Sequence, residues 1–302
     1  LHRRRHSFPT RRSSDLDFST GAYKSQAAYP LYELKPERTE SWEVGLTARF
    51  LKYFNFDVSF YNTKTYNQTV DAQLSPTGGY NKFYAQTGEV RNRGVELSLE
   101  FKNTWNKFTW NSNYTFSANK NKILSLIDGY VNPVTGETIS KERLEVGGLA
   151  NAKFLLKVGG SLGDLYSVKD LVRDSNNNIY VDEEGKVVIN EKAGDIFLGS
   201  VFPKANMAWR NDFQYGNWGL GFLLTARIGG EVMSATQAIL DKYGVSEASA
   251  IARDNGGVTV NFGKLDPQYF YEYIGGGDTG MLSNYVYSAT NVRLQELTLG
   301  YT

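Results

Sequence analysis

The sequence predicts an all-β fold, an antiparallel transmembrane β-barrel fragment of about seven wall strands with long extracellular loops. Three observations predict it. Apolar residues recur at every second position through most of the chain; tight turns alternate with long connections; and aromatic side chains crowd the tight turns. Composition excludes much else. The 302 residues include no cysteine, so disulfides, thiol catalysis and thiolate metal sites are absent. The two histidines are His2 and His6. No apolar run reaches the roughly 18 residues of a helical membrane span. An aromatic content of 14% is far above that of a disordered chain.

Residues 1–16 read apart from the rest. Their five arginines, single aspartate and both histidines follow neither strand nor helix period. A basic tail for nucleic acid or a membrane surface has such a composition. Arg12-Ser13-Ser14-Asp15-Leu16 also resembles a sequencing-adapter end translated in frame, and on that reading the segment is foreign to the fold. The chain's net charge of +1 comes from this tail. Without it the remainder is slightly acidic and has no histidine, so no nucleic-acid partner is expected. Residues 17–302 are then the barrel part.

From Ser41 the period is two. Trp42, Val44, Leu46, Ala48 and Phe50 alternate with Glu43, Gly45, Thr47 and Arg49. Phe54, Phe56, Val58 and Phe60 follow, then Val95, Leu97, Leu99 and Phe101. Phe108, Trp110, Tyr114, Phe116 and Ala118 form a row broken by Ser112; Ala205, Met207, Trp209, Phe213 and Tyr215 form one broken by Asn211. Trp218 to Ile228 alternates without a break. Tyr61, Ala208 and Leu223 are apolar intruders on the polar side. Side chains of a strand point to opposite faces in turn, so each segment has one apolar and one polar face. Parallel strands are buried on both faces and read as continuous apolar runs, so this sheet is antiparallel.

Strands 41–50 and 54–64 are joined by Leu51-Lys52-Tyr53, strands 94–102 and 108–118 around Asn103-Thr104-Trp105-Asn106-Lys107, and strands 205–215 and 218–229 by Gly216-Asn217. Long excursions occupy about 65–93, 119–203 and 230–290, as on the outer rim of outer-membrane barrels. If the tight turns share one side, the apolar piece Phe154–Val158 and the hairpin around Asp182–Gly185 belong to an excursion, not to the wall. Ala235–Tyr243 and Glu247–Arg253 have the composition of short helices. Asn291–Tyr301 is a seventh strand whose phase slips near Glu296, as at a bulge or in a part above the membrane.

The aromatics at the tight turns are Phe50, Tyr53 and Phe54; Phe101, Trp105, Phe108 and Trp110; Phe213, Tyr215 and Trp218. Such rings suit the headgroup level, which turns the apolar face to lipid. The opposite face carries Glu43, Arg49, Asp57, Glu96, Glu100, Arg210, Asp212 and Arg227, predicted to face a water-filled lumen. A soluble β-sandwich would instead join the apolar faces in a dry core.

Four stretches carry a family resemblance: Pro36-Glu37-Arg38-Thr39-Glu40-Ser41-Trp42-Glu43-Val44-Gly45, Val90-Arg91-Asn92-Arg93-Gly94-Val95-Glu96-Leu97, Phe202-Pro203-Lys204 with Arg227-Ile228-Gly229-Gly230, and Asn291 through Thr302. In order and spacing the chain resembles the C-terminal part of the barrel of SusC/RagA-like TonB-dependent outer-membrane transporters. That resemblance implies a barrel of about 22 strands. It also implies a plug domain, TonB box and signal peptide that these residues lack, so the chain is expected to be a fragment. By the same resemblance the cargo is a glycan or oligopeptide, a SusD-like surface lipoprotein caps the opening, TonB acts through the missing plug, and the location is the outer membrane of a Bacteroidota-like Gram-negative bacterium. A passive porin or adhesin barrel, and a soluble carbohydrate-binding β-sandwich, are the alternatives.

No catalytic set is expected. Gly159-Gly160-Ser161-Leu162-Gly163 has the form of a nucleophile elbow, but no histidine follows it. Ser117-Ala118-Asn119-Lys120 lacks companion motifs, and Gly275-Gly276-Gly277 lacks a following lysine. No cofactor is expected, calcium in an outer loop being the one candidate. Asp174-Ser175-Asn176-Asn177-Asn178 begins like a calcium loop, yet Ile179 takes the glycine position and Gly185 that of the bidentate glutamate. For substrate or lid contacts the candidates are Tyr80, Phe83 and Tyr84, with Tyr269, Phe270, Tyr271 and Tyr273. These rings either stack on sugars and a partner, or pack the loops against each other.

Overall fold

The computed structural model describes residues 16–17, 22–23, 35–73, 82–131, 136, 138–149, 151–191, 195–276 and 280–302. All of 1–16 except Leu16 thus lies outside the described residues. Seven strands build one antiparallel sheet in chain order: β1 Arg38–Phe50, β2 Phe54–Gln73, β3 Lys82–Trp105, β4 Phe108–Ser125, β5 Ala205–Tyr215, β6 Trp218–Ile228 and β7 Asn291–Tyr301. One cross-strand row shows the register: Arg49, Asn55, Glu100, Asn113, Arg210, Leu223 and Glu296. The phase slip near Glu296 is a bulge, since Leu223 pairs with Glu296 but Leu224 pairs with Leu294, leaving Gln295 over.

The tight turns lie at one rim. Phe50 pairs with Phe54 across Leu51-Lys52-Tyr53, the first two at positive φ. Tyr215 pairs with Trp218 across Gly216-Asn217. The connection placed at residues 103–107 is tighter than its sequence suggests. Pairing continues to Trp105 and Phe108, leaving Asn106-Lys107, with Asn106 at φ 54 in the left-handed region that asparagine tolerates.

At the opposite rim the excursion assigned to 65–93 is mostly ladder. β2 and β3 stay paired out to Gln73 and Lys82, with irregularities between Thr65 and Thr69. β4 likewise runs past residue 118 to Ser125. The apolar alternation ends before the strands do, because a strand needs its backbone bonds everywhere but an apolar flank only beside an apolar medium.

The wall's apolar face is uncovered even on interior strands: Phe60 is 54% exposed, Trp209 42% and Leu220 43%. A continuous apolar band of that kind does not face water. Rings near the tight turns touch in series, Phe50–Phe54 at 5.1 Å, Phe54–Phe101 at 5.0 Å, Phe101–Trp110 at 4.8 Å and Trp110–Phe213 at 5.9 Å. Ser112 and Asn211, the two polar breaks in this face, pair directly across strands. Asn211 Oδ1 accepts from Trp110 Nε1 at 2.9 Å, and Ser112 Oγ accepts from Trp209 Nε1 at 3.0 Å. They supply the acceptors that indole N–H groups need away from water. Tyr61, the aromatic on the polar face, lies across Gly94, where an added Cβ would stand 2.3 Å from its ring. This covers the glycine of the Asn-x-Gly-Val-Glu stretch.

The excursions fold into a cap. The 119–203 excursion contributes a four-stranded sheet, in the order Ile196–Ser200, Asp164–Ser167, Ala152–Lys157, Arg143–Leu149. The Phe154–Val158 piece therefore sits outside the wall. In residues 170–190, Leu171, Ile179 and Val187 stand eight residues apart and are all buried, and the Asp182–Gly185 turn lies between the last two. The 230–290 excursion contributes helices α1 (Ala235–Lys242), α2 (Glu247–Asp254) and α3 (Pro267–Ile274). The first two match the expected helices. The third announces itself only through its cap: the Asp266 side chain accepts from the N–H groups of Gln268 and Tyr269, with Pro267 at the first helical position. One core joins both excursions, with Leu171, Ile179, Val181 and Val187 packed with Ala238, Phe270, Ile274, Met281 and Tyr285. Asn151 Nδ2 donates to Ser283 Oγ at 2.8 Å, and Ile179 bridges to Val260.

Candidate functional site: a polar wall face beneath a folded cap

Strand alternation and register place Glu43, Arg49, Asp57, Glu96, Glu100, Arg210, Asp212 and Arg227 on one face. Four of them are held by side chains directly opposite or one step along the face. Thr47 Oγ1 donates to Asp57 Oδ2 at 2.7 Å, and Asn55 and Asn113 donate to the two oxygens of Glu100. Arg210 donates to both oxygens of Asp212 and to Glu296 Oε2 at 3.0 Å. Asp57, Glu96, Ser98, Thr115, Ser117 and Asn206 line a concavity of about 480 Å³ rich in hydroxyls and carboxylates.

Arg227 differs from the other seven. Its Nη2 donates to Val201 O at 2.7 Å, so it is tucked under the chain where wall meets cap. The Phe202-Pro203-Lys204 and Arg227–Gly230 stretches make this junction together. Lys204 N donates to Ile228 O, Gly229 (φ 74) lies against the Lys204 stem, and a Cβ on Gly230 (φ 87) would stand 3.0 Å from Arg227 Nη2.

The aromatic candidates divide. Tyr80 lies outside the described residues; Phe83 and Tyr84 are placed on β3 by backbone alone. Phe270 is buried in the cap core, with Tyr271 and Tyr273 packed against it. Tyr269 is exposed and stacks on Tyr273 at 6.3 Å. In the calcium-like stretch, Asp174 Oδ1 accepts from the N–H groups of Asn176 and Asn178 while Oδ2 accepts from Asn178 Nδ2, which closes a polar turn. Among the described residues no three acidic or histidine side chains gather as a metal site.

Two groupings have no local signal in the sequence. Asp195 takes both Nε and Nη2 of Arg143, at 2.8 and 2.7 Å, and Lys157 Nζ at 2.8 Å. The Arg143 hydrogen bonds hold its carboxyl down at about 2. Asp241 is buried on α1 and accepts from Gln237 Nε2 at 2.9 Å. Burial, and then the charge of Asp241, push up the phenols of Tyr271 and Tyr287.

The family model described as TonB dependent receptor-like, beta-barrel, matches residues 8–182. TonB-dependent receptor P3 of Formosa agariphila is 25% identical over 280 residues, covering 89% of this chain and 27% of that protein. TonB-dependent receptor P39 of the same organism is 23% identical over 305 residues, covering 84% and 28%. The chain thus spans less than a third of these relatives. Among solved structures, that of the RagAB peptide transporter superposes with a TM-score of 0.62 at 17% identity, over 88% of this chain and 29% of that one.

Proposed function

The chain belongs to the TonB dependent receptor-like β-barrel family, and from that premise we propose that it forms part of the wall and outer cap of an outer-membrane transporter importing a large nutrient. The observation that carries this reading is the two-faced sheet, with a lipid-suited apolar band and aromatic belt on one side and a continuous polar face on the other. On this reading the polar face lines the lumen, where charged side chains stay solvated at little cost. The cargo is a glycan or oligopeptide. TonB drives its passage through a plug in the complete protein, and a SusD-like surface lipoprotein closes the cap. Tyr269, stacked on Tyr273, offers that cargo or lid a contact. The site is the outer membrane of a Bacteroidota-like Gram-negative bacterium, in keeping with the Formosa relatives.

The test uses the complete protein in its own membrane. Spin labels at Leu220, Phe222 and Leu224 are expected to be quenched by lipid-soluble oxygen, and cargo uptake is expected to stop when TonB is removed. Labels shielded from lipid would return the sheet to a soluble sandwich. Uptake that persists without TonB would make it a passive pore.

A further inference from the structure

The apolar face of the wall ends, on its long-loop side, in a block of cations that the transport reading leaves unassigned. Its last apolar row on β2, β3 and β4 is Phe60, Val95 and Ala118. One step further along the same face Arg93 stands opposite Lys120, and one step beyond that Arg91 stands opposite Lys122. Arg91 and Lys122 cannot turn inward. Val90 and Ile123, next to them in the chain, fill the inner side and are buried with Leu144 and Leu156 of the cap sheet. The nearby charges are already matched, Arg38 with Glu40 and Lys64 Nζ with Glu89 Oε2 at 2.9 Å. Among the described residues Arg91, Arg93, Lys120 and Lys122 make no ion pair. Arg93 Nε donates to Asn62 Oδ1 at 2.7 Å, which fixes the stem and leaves both Nη groups free to bind.

Like charges directly opposite on a sheet repel, and here two such pairs are stacked. The four Cβ atoms outline a patch about 5 Å across the strands and about 7 Å along them. Its level indicates what offsets the repulsion. From Phe54, in the aromatic row at the tight turns, to Lys64, level with Arg91 and Lys122, β2 advances ten residues without a bulge. At about 3.3 Å per residue and a tilt of about 40°, that is about 25 Å along the membrane normal, the height of an outer-membrane apolar band. The cations therefore begin where acyl chains give way to headgroups. A free anion would satisfy the cations alone, whereas one lipid molecule satisfies both them and the apolar row directly beneath. A phosphate monoester brings nearly two negative charges and three acceptor oxygens, which a block this small can share, and arginine forks grip it two bonds at a time. We propose that Arg91, Arg93, Lys120 and Lys122 hold the phosphate of an outer-leaflet lipid headgroup, with its chains lying on Phe60, Val95 and Ala118. This rests on the membrane orientation of the transporter reading and adds a lipid partner to it.

The experiment titrates the complete, detergent-purified transporter with phosphorylated lipid A, with the same lipid A after its phosphate is removed, and with inorganic phosphate; native mass spectrometry counts the bound lipid. Each cation near an anionic lipid is worth roughly a fivefold factor in affinity. The double variants Arg91→Gln/Lys122→Gln and Arg93→Gln/Lys120→Gln should each bind phosphorylated lipid A about 25-fold more weakly, and the parent should bind the dephosphorylated lipid at least about 25-fold more weakly. Lys107→Gln, in the tight turn at the opposite rim, should bind as the parent does. Thermal unfolding checks that each variant is folded and gives a second readout, since phosphorylated lipid should raise the Tm of the parent more than that of either double variant. Equal binding of the two lipids, displacement of the lipid by inorganic phosphate at matched concentration, or unchanged binding in both double variants would each overturn the site. A transporter dimer that the double variants dissociate would overturn it too, by giving the face to a second copy. Oxygen quenching of labels at Leu220 and Phe222 keeps the two ideas apart: labels shielded from lipid sink the membrane orientation, whereas labels that meet lipid while the phosphate makes no difference sink this site alone.

Discussion

Asn211→Leu tests whether the polar breaks of the apolar face are indole acceptors. Asn211 is 1% exposed, its Oδ1 accepts from Trp110 Nε1 at 2.9 Å, and its own Nδ2 has no partner among the described residues. Leucine changes two terms of opposite sign. It removes a buried unpaired amide N–H, which favours the variant, and it orphans the Trp110 N–H, which costs about 1–3 kcal/mol where no water can reach. The amide already bears its own desolvation, so the net loss should be at the low end, about 1 kcal/mol. Trp110→Phe alone strands the Asn211 amide entirely and should cost more, with lost ring packing against Phe101 and Phe213 added. The double variant, with neither donor nor acceptor, should be more stable than the sum of the singles by about 1 kcal/mol or more. Urea unfolding of the complete barrel refolded in lipid vesicles, followed by tryptophan fluorescence, measures all four corners of the cycle. Strict additivity would refute the assignment, as would an Asn211→Leu variant indistinguishable from the parent with Trp110 in place.

Gly94→Ala should force the Tyr61 ring aside, since the new Cβ would stand 2.3 Å from it, and cost about 1–2 kcal/mol in the same assay; in a Tyr61→Ala background the penalty should vanish. Gly230→Ala should loosen the junction of wall and cap by about 1–2 kcal/mol, because it adds strain at φ 87 and presses on Arg227 Nη2, and limited proteolysis near Val201 would report it. The Asp195 carboxyl is held below its unfolded value, so its contribution is present above about pH 4 and is lost as pH falls towards 2. Protection of the Ala152–Lys157 strand, taken as exchange relative to the intrinsic rate at each pH, should therefore fall across that window, and Asp195→Asn should bring the lower protection to neutral pH and flatten the profile.

The wall is legible because a membrane imposes a period. Wherever one flank of a strand meets lipid, alternation is written residue by residue, and the Gly216-Asn217 turn and the bulge near Glu296 follow from it. The cap obeys no such local rule. Asn151 meets Ser283 across 132 residues and Val181 meets Asn261 across 80, so the 119–203 and 230–290 excursions are each half of one core. Read alone, each half has too few apolar residues to announce a fold, which is why α3 leaves no periodic trace; the Asp195 cluster is hidden because it joins charges 52 residues apart. The aromatic candidates fail to sort for a related reason, since Phe270 in the core and Tyr269 at the surface are adjacent residues of one helix. The exceptions to the wall's pattern are a different matter. Ser112, Asn211 and Tyr61 violate the alternation singly, yet each lies directly opposite, or beside, the residue that explains it: Asn211 opposite Ser112, both serving tryptophans one step along the face, and Tyr61 opposite Gly94. Register turns these apparent errors into pairs. An antiparallel sheet therefore specifies its polar intruders two strands at a time, and a search for such breaks in matched rows finds wall positions where an apolar substitution fails unless its partner changes too.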